Sequence, residues 1–460
     1  MTYVYRSVSK IEGPLIFLKS RHDVKFGEII NISMPSGEIK KGKVVKIDED
    51  IVCIQVFGNM LSVSKETTTV EFTNEVFQIN ISRDMLGRTY DGKGKEIDTL
   101  NKKVKVLPEA ILPISGLPIN PYSREYPKDV IQTGISAIDV LTALVRGQKL
   151  PIFSGQGLPH NLLIAQLIKQ AKVISNEPFL IIFCGIGILN DEAIFFKKKF
   201  EESGNVQNLI SIFNLASDPP MERLLAPRVA LTIAEYFAFE KDMHVLVILH
   251  DMTNYAEALR EISNALEEIP GRKGYPGYMY SDFASLYERA GRIKNKKGSI
   301  TQIPVISMPN DDITHPIPDL TGYITEGQIV LSREYFQKGL YPPIWCLSSL
   351  SRLMKEVVGK DTTREDHNDV AAQLYAYYSE ALHVRELMAI IGEDGLNPID
   401  RKYLEFADKF ENLFINQSYE EERNFIQSLD LAWPLISILP KEEISRIPPS
   451  IVEKYYPKSN

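Results

Sequence analysis

The sequence predicts a three-domain α/β protein: a β-barrel over residues 1–75, an α/β domain over residues 76–360 and a helical domain over residues 361–460. Three observations carry that reading. Short runs rich in β-branched residues fill the first 75 positions without a helical stretch. Apolar strand-like runs then alternate with helical ones as far as about Leu350, and beyond Asp361 the β-branched runs thin out in favour of helical periodicity.

Taken in order, Glu38–Ile47 and Ile51–Phe57 read as strands, with Met34-Pro-Ser-Gly-Glu38 as the turn before them. Short, evenly spaced strands of this kind suggest a small closed barrel. From Ile81 to Pro127 the pattern is weaker: Asp91-Gly-Lys-Gly is a turn, and Pro108, Pro113, Pro118, Pro121 and Pro127 punctuate a connection. Between Asp129 and Leu350 the expected strands are Lys149–Phe153, Phe179–Cys184, Leu209–Asn214, His244–Leu249 and Ile303–Met308, with helices such as Pro227–Glu240 and Tyr255–Leu266 between them. Strands this aliphatic belong in a largely parallel sheet covered on both faces. In the last domain Thr362-Thr363-Arg364-Glu365 fits a capping box. Val370, Leu374, Tyr377, Ala381, Val384 and Met388 then mark one helix face, and Gly392 stops the helix.

Of the 460 residues, 44% are hydrophobic and 24% charged, an ordinary globular balance. The net charge of −8 argues against a nucleic-acid binder that relies on bulk charge. Cys53, Cys184 and Cys346 lie far apart among apolar neighbours, as buried thiols do, and no metal site is expected. His315 and His367 are isolated and carry no ligand expectation. No apolar run approaches the roughly 18 residues needed to span a bilayer, and the start, Met-Thr-Tyr-Val-Tyr-Arg-Ser, lacks a signal-peptide core. A cytoplasmic chain is expected, reaching a membrane only through partners.

The chemistry centres on Leu150-Pro-Ile-Phe-Ser-Gly155-Gln-Gly157-Leu-Pro-His-Asn161, a strand that runs into a glycine-bearing loop and opens a helix. Exposed N–H groups at a helix start, backed by the helix dipole, suit a phosphate. Against Gly-x-x-x-x-Gly-Lys-Ser/Thr, however, Ser154 and Pro159 stand for the glycines, His160 for the lysine and Asn161 for the magnesium-holding hydroxyl. Proline offers no N–H, and a histidine of ordinary pKa about 6.5 is mostly neutral at pH 7. Two readings follow: a plain strand-turn-helix, or a nucleotide loop that has lost its chemistry. In the second, Gly155 and Gly157 are the remaining backbone cradle. Asp251, ending the strand Val245-Leu-Val-Ile-Leu-His, stands where phosphate-loop ATPases keep a magnesium ligand; it is equally placed to cap the next helix. Ile188 occupies the position of the water-orienting carboxylate, and Asp191 and Glu192 are expected as solvated first-turn acids. The Gly271–Arg292 segment, rich in glycine, tyrosine and arginine, reads as a subunit contact.

Several further segments make a family resemblance plain. Gln132-Thr-Gly-Ile-Ser-Ala-Ile-Asp139, Arg146-Gly-Gln-Lys-Leu-Pro-Ile-Phe-Ser-Gly, Pro270-Gly-Arg-Lys-Gly-Tyr-Pro-Gly-Tyr, Tyr287-Glu-Arg-Ala-Gly-Arg, Gly298-Ser-Ile-Thr and Pro309-Asn-Asp-Asp-Ile-Thr-His-Pro resemble the rotary ATPases. The match runs over essentially the whole chain and is closest to the B subunits (beta chains) of V-type and archaeal A-type ATPases, which also share the Ser-Gly-x-Gly-Leu-Pro-His loop. The resemblance implies a RecA-like P-loop-type core between barrel and helical bundle. It implies a non-catalytic role, an alternating A3B3 ring with the catalytic A subunit, contact with central and peripheral stalk subunits, and ATP synthesis or hydrolysis coupled to H⁺ or Na⁺ transport.

It also implies a site residue. Pro342-Pro-Ile-Trp-Cys-Leu-Ser-Ser-Leu-Ser351-Arg352 is similar to the family segment whose arginine reaches a neighbour's nucleotide. Arg352 is therefore expected as an arginine finger in trans, although alone it would read as a surface salt-bridge residue. ATP or ADP with Mg²⁺ is expected at the shared interface, with none bound by this chain alone. Trp345 departs from the family's usual Asp, Asn or His, and Asn264-Ala-Leu-Glu-Glu268 replaces a more basic segment. Two rivals fit less well. A ring-shaped RNA translocase needs a working phosphate loop and a basic aromatic surface, and a self-sufficient secretion or flagellar ATPase needs the loop lysine and the carboxylate.

Overall fold

The computed structural model describes residues 3–6, 8–20, 23–58, 60–97, 107–174 and 177–457; of the opening stretch, Met1, Thr2 and Ser7 lie outside them. The first domain is a seven-stranded antiparallel sheet of β1 (Val4–Tyr5), β2 (Lys10–Glu12), β3 (Leu15–Lys19), β4 (Ile29–Ser33), β5 (Ile39–Asp48), β6 (Ile51–Val56) and β7 (Thr69–Phe72). Its order is β1-β7-β4-β5-β6-β3-β2. The strands wrap one core of Ile16, Leu18, Ile30, Ile32, Val44, Ile54, Val70 and Phe72, as period-two alternation requires.

The proline-punctuated connection joins the central domain. Gln78–Ile81 and Ala110–Pro113 pair as an antiparallel ribbon, and β8 (Thr89–Asp91) adds a parallel edge strand to the main sheet. That sheet contains β9 (Ile152–Gly155), β10 (Phe179–Ile188), β11 (Leu209–Leu215), β12 (His244–His250), β13 (Ser299–Met308), β14 (Gly327–Val330) and β15 (Leu350–Ser351). Its order is β15-β14-β9-β13-β12-β10-β11-β8. All neighbours along it are parallel except the antiparallel β14–β15 pair. Helices α1 (His160–Gln170), α2 (Asn190–Glu202), α3 (Pro220–Glu235), α4 (Met252–Ala265), α5 (Met279–Tyr287) and α6 (Pro316–Ile324) lie between the strands in sequence. Alternate residues of β10 enter different cores, Ile181 and Phe183 one, Leu180, Ile182 and Cys184 the other. That is why the strand reads as uniformly apolar.

Two local expectations fail. Helix α3 starts at Pro220, not Pro227. The first-turn proline gives up an N–H that had no partner, while Pro227 sits inside the helix. The burial of Leu225, Ala226, Val229, Ala230 and Ile233 holds the turn together around it. Nor does Thr362 open a capping box. Helix α7 (His367–Ile391) begins later, and Thr362 Oγ1 instead donates to the Val357 carbonyl at 2.5 Å. Asp366, just before the helix, is held by Arg364 at 2.6 and 2.8 Å and accepts from Trp433 Nε1 at 2.8 Å. The expected face of α7 packs inward from Val370 to Val384, and Gly392 ends the helix at φ +79°. Helices α8 (Pro398–Lys409) and α9 (Phe425–Ile436) pack with it, and their core is continuous with that under α1.

Candidate functional site

Strand β9 carries Ser154 and Gly155 to the carboxyl end of the sheet, where ligands of such folds bind. Gln156 and Gly157 are exposed, and Gly157 adopts φ +79° with open space around it. The side chains that follow turn inward. His160 is buried, with Nδ1 at 2.9 Å from Ser154 Oγ and its ring 5.4 Å from that of His250. Burial lowers the His160 pKa below the ordinary histidine value, so the ring is neutral at pH 7. Asn161 Nδ2 donates to Glu192 Oε1 at 2.9 Å, and Glu192 Oε2 accepts the Leu189 N–H at 2.9 Å. Glu192 is therefore not the solvated acid the sequence suggests, because it links two helix starts. Asn161 Oδ1 is buried without a partner among the described residues, but as an acceptor it cannot hold a phosphate.

A feature the sequence reading missed lies against the same loop. Arg333 forms a two-pronged contact with Asp311, Nε at 2.5 Å and Nη2 at 2.9 Å, and the same Nη2 donates to the Gln156 carbonyl at 2.8 Å. A Cβ on Gly155 would meet Asp311 Oδ1 at 2.0 Å. Gly155 thus accommodates a carboxylate of this chain, whose charge is balanced by the Arg333 guanidinium beside it. Asp311 follows β13, the neighbour of β9, so its place at the end of the Ile303–Met308 run was the available signal.

Asp251 is also committed. Its Oδ1 accepts from Thr253 N at 2.8 Å, capping α4, and both oxygens lie 3.2 Å from Ser307 N. Ile188 is fully buried in the core. The loop therefore lacks the lysine and the hydroxyl with which a phosphate loop holds a magnesium nucleotide. Its histidine turns inward, an Asp311–Arg333 ion pair lies on it, and Asp251 is tied to backbone donors.

Arg352 lies elsewhere. It follows β15, whose partner residue Gly327 starts β14, and β14 runs parallel to β9 with Ile329 opposite Ile152. This register sets Arg352 level with Lys149, at the end of β9 away from the loop. From Lys149, three residues before β9, to Gly155 an extended chain covers about 20 Å at roughly 3.3 Å per residue. The Arg352 N–H donates to the Glu326 carbonyl at 2.9 Å, while its side chain is exposed and has no hydrogen bond or ion pair among the described residues. The structure therefore separates Arg352 from Gly155, Gly157 and Asp251.

The Gly271–Arg292 segment divides. Tyr275, Tyr287 and Arg289 are buried, Arg289 against Glu235 at 2.6 and 2.7 Å, so this part is core and not contact surface. Tyr278 and Tyr280 are exposed, as is the preceding Ile269. Glu268 of the acidic departure accepts from Ser263 Oγ at 2.7 Å. Trp345 packs its ring 5.3 Å from Tyr335. His315 accepts from the Ile317 N–H at the start of α6, and His367 Nε2 lies 3.1 Å from the Val140 carbonyl. The three cysteines are buried free thiols. Among the described residues no acid, histidine or cysteine cluster could hold a metal, and no helix is long and apolar enough to cross a membrane.

Comparison with known proteins bears on the whole chain. Residues 8–74 match the ATP synthase alpha/beta family beta-barrel domain, residues 134–351 the nucleotide-binding domain of that family, and residues 356–456 the C-terminal domain of V and A type ATP synthase. Arg352 falls between the last two. The V-type ATP synthase beta chain of Thermotoga neapolitana is 54% identical over 456 residues, covering 99% of this chain and 98% of that one. The solved ATP synthase subunit NeqB from Nanoarcheaum equitans is 39% identical, with a TM-score of 0.73 over 92% of this chain and 98% of that one. With its barrel, its nucleotide-binding-type core and its V- and A-type helical domain, the chain belongs to the ATP synthase alpha/beta family, among the V-type beta chains.

Proposed function

We propose that this chain is the non-catalytic subunit of a rotary ATPase head, and that it supplies Arg352 to a nucleotide held by the neighbouring catalytic A subunit. The observation that carries the reading is an exposed, unpaired guanidinium on a well-supported backbone, far from a loop unsuited to nucleotide. A charge without an internal partner is free to meet an anion from outside. At the partner's site a planar guanidinium can span two phosphoryl oxygens and stabilise charge as it develops. ATP or ADP with Mg²⁺ would lie at that shared interface and be bound chiefly by the A subunit. The alternating A3B3 ring, the stalk contacts and coupling to H⁺ or Na⁺ transport belong to the same proposal, as does a cytoplasmic head that meets the membrane only through partners. No nucleic acid has a role.

The test is steady-state hydrolysis by rings reconstituted with an A subunit carrying an intact Gly-x-x-x-x-Gly-Lys-Thr loop. Arg352→Ala should lower turnover by about 10³–10⁵, the range for arginine fingers, without preventing assembly as followed by light scattering. Assembled rings that keep more than about a tenth of wild-type turnover would refute the role. The chain alone should show no ATP turnover above background, and hydrolysis by the partner-free chain that is abolished by mutating one of its residues would overturn the non-catalytic assignment.

A further inference from the structure

Beneath Arg352 the structure builds a support around one buried polar side chain and two half-buried residues. Gln148 is wholly buried, and its Nε2 lies 3.1 Å from the Glu326 carbonyl and 2.9 Å from Ser351 Oγ. The same Glu326 carbonyl accepts the Arg352 N–H, so one oxygen ties Gln148 to the backbone of Arg352. Ser351 Oγ in turn donates to the Ala143 carbonyl at 3.0 Å. Gln148 Oε1 accepts the Val145 N–H at 3.0 Å, closing the turn on which Gln148 itself sits. Glu326 is anchored separately: its carboxylate accepts from Lys149 N at 2.8 Å and pairs with Lys149 Nζ at 2.7 Å.

We infer that Gln148 is a positioning residue for Arg352, acting through Ser351 and the Glu326 carbonyl; this rests on the reading of Arg352 given above. The chemistry fits the task. A carboxamide offers two donors and an acceptor in one plane, so a single side chain grips the segment before Arg352, the strand beside it and its own turn. A buried glutamine is costly unless its hydrogen bonds are made, and Gln148 makes contacts with both ends of its amide. The strand pairing that leads to Arg352 is short, since β15 spans only Leu350–Ser351, and the other side-chain contacts of this segment fall on Ser348 and Ser349. A group that acts on a transferring phosphoryl tolerates little displacement: misplacement by about 1 Å costs roughly 10²-fold.

The experiment is a double-mutant cycle in reconstituted rings, read as kcat and KM for ATP. Gln148→Leu keeps the bulk and removes both polar ends. It should lower kcat by about 10- to 100-fold and leave KM within about twofold, since a misplaced arginine loses interactions made mainly in the transition state. In the Arg352→Ala background the same change should have no further effect, because the group being positioned is gone. A Gln148→Leu loss that multiplies onto that of Arg352→Ala marks a structural role independent of Arg352 and overturns the proposal. So does an unchanged kcat in assembled Gln148→Leu rings. If Gln148→Leu rings do not assemble, the milder Ser351→Ala decides. A kcat loss of about threefold or more that vanishes in the Arg352→Ala background supports the proposal, and no loss overturns it. The Arg352→Ala ring separates the two readings: if that ring turns over normally the role of Arg352 fails, whereas a collapsed Arg352→Ala ring beside a fully active Gln148→Leu ring removes Gln148 alone.

Discussion

The two ends of strand β9 solve opposite problems. At the loop end most polar side chains are paired internally, His160 on Ser154, Asn161 Nδ2 on Glu192, Asp251 on two backbone donors, Arg333 on Asp311 and Gln156, while Asn161 Oδ1 and the His250 nitrogens lack partners among the described residues. At the other end a network of partly buried contacts through Gln148, Ser351 and Glu326 leaves one guanidinium without a partner among the described residues. A group satisfied at home stabilises the fold and has nothing to offer a ligand, while a group left unpaired contributes little to the fold and is available to a neighbour. The loop end should therefore matter for stability and the Arg352 end for turnover.

The largest expected effect tests the chemistry of the Arg352 end. Arg352→Lys keeps the charge but loses the planar fork, so reconstituted rings should recover little of the roughly 10³-fold or greater loss of the alanine variant. Near-normal hydrolysis by Arg352→Lys rings would reduce the role to a point charge.

The next effect belongs to the loop end and appears as pH dependence. His250 is fully buried, neither ring nitrogen has a partner among the described residues, and burial holds its pKa down at about 4 from an ordinary 6.5. The folded pKa lies below the unfolded one, so the unfolded chain binds more protons between these values and stability falls as pH drops through that window. Denaturant unfolding should show wild type losing about 2–3 kcal/mol more than His250→Phe between pH 7 and pH 4.5. Buried Asp139, raised to about 7, works in the opposite sense but is common to both chains and cancels in the difference. Equal pH slopes would place His250 in contact with water.

Gly155→Ala sets the two ends against each other. The new methyl would meet Asp311 Oδ1 at 2.0 Å and Arg333 Nη2 at 2.8 Å, so the exposed ends of the pair must swing aside, with only a small loss of stability. On the proposed non-catalytic role, turnover by the assembled ring should stay within about threefold; a collapse like that expected of Arg352→Ala would mean that the loop takes part in the reaction. The smallest effect is on the stability of Arg352→Ala, which removes an exposed and unpaired side chain and should change unfolding by less than about 0.5 kcal/mol. A loss of 1 kcal/mol or more would reveal an internal role for the guanidinium.

Some of this was legible in the chain because it depends on local chemistry. Leu180–Cys184 and Val245–Leu249 are strands buried on both faces, and no other element makes such runs cheap to bury. Gly392 had to end α7, since a residue at φ +79° favours glycine. The missing lysine and hydroxyl of the loop were equally plain, since a side chain that is absent needs no structure to show it. Local signals misled where a tertiary partner outbid them. Thr362 resembled a cap until Val357 took its hydroxyl, Pro227 resembled a start until packing carried α3 through it, and Tyr287 and Arg289 resembled surface until Glu235 and the core claimed them.

By itself the sequence determined the order of the three domains, the parallel core and the loop's departure from the phosphate-loop pattern, since patterning and residue type decide these within a few turns of chain. Only the tertiary structure decided what fills the loop and what supports Arg352. Asp311 and Arg333 are far from Gly155 along the chain, and Gln148 is far from Ser351. Each of these contacts is made by the register of β9, β13, β14 and β15 in the sheet. Hydrogen bonds over 2.5–3.1 Å are set by that register, and no local pattern of residues encodes the distance between strands that meet only on folding.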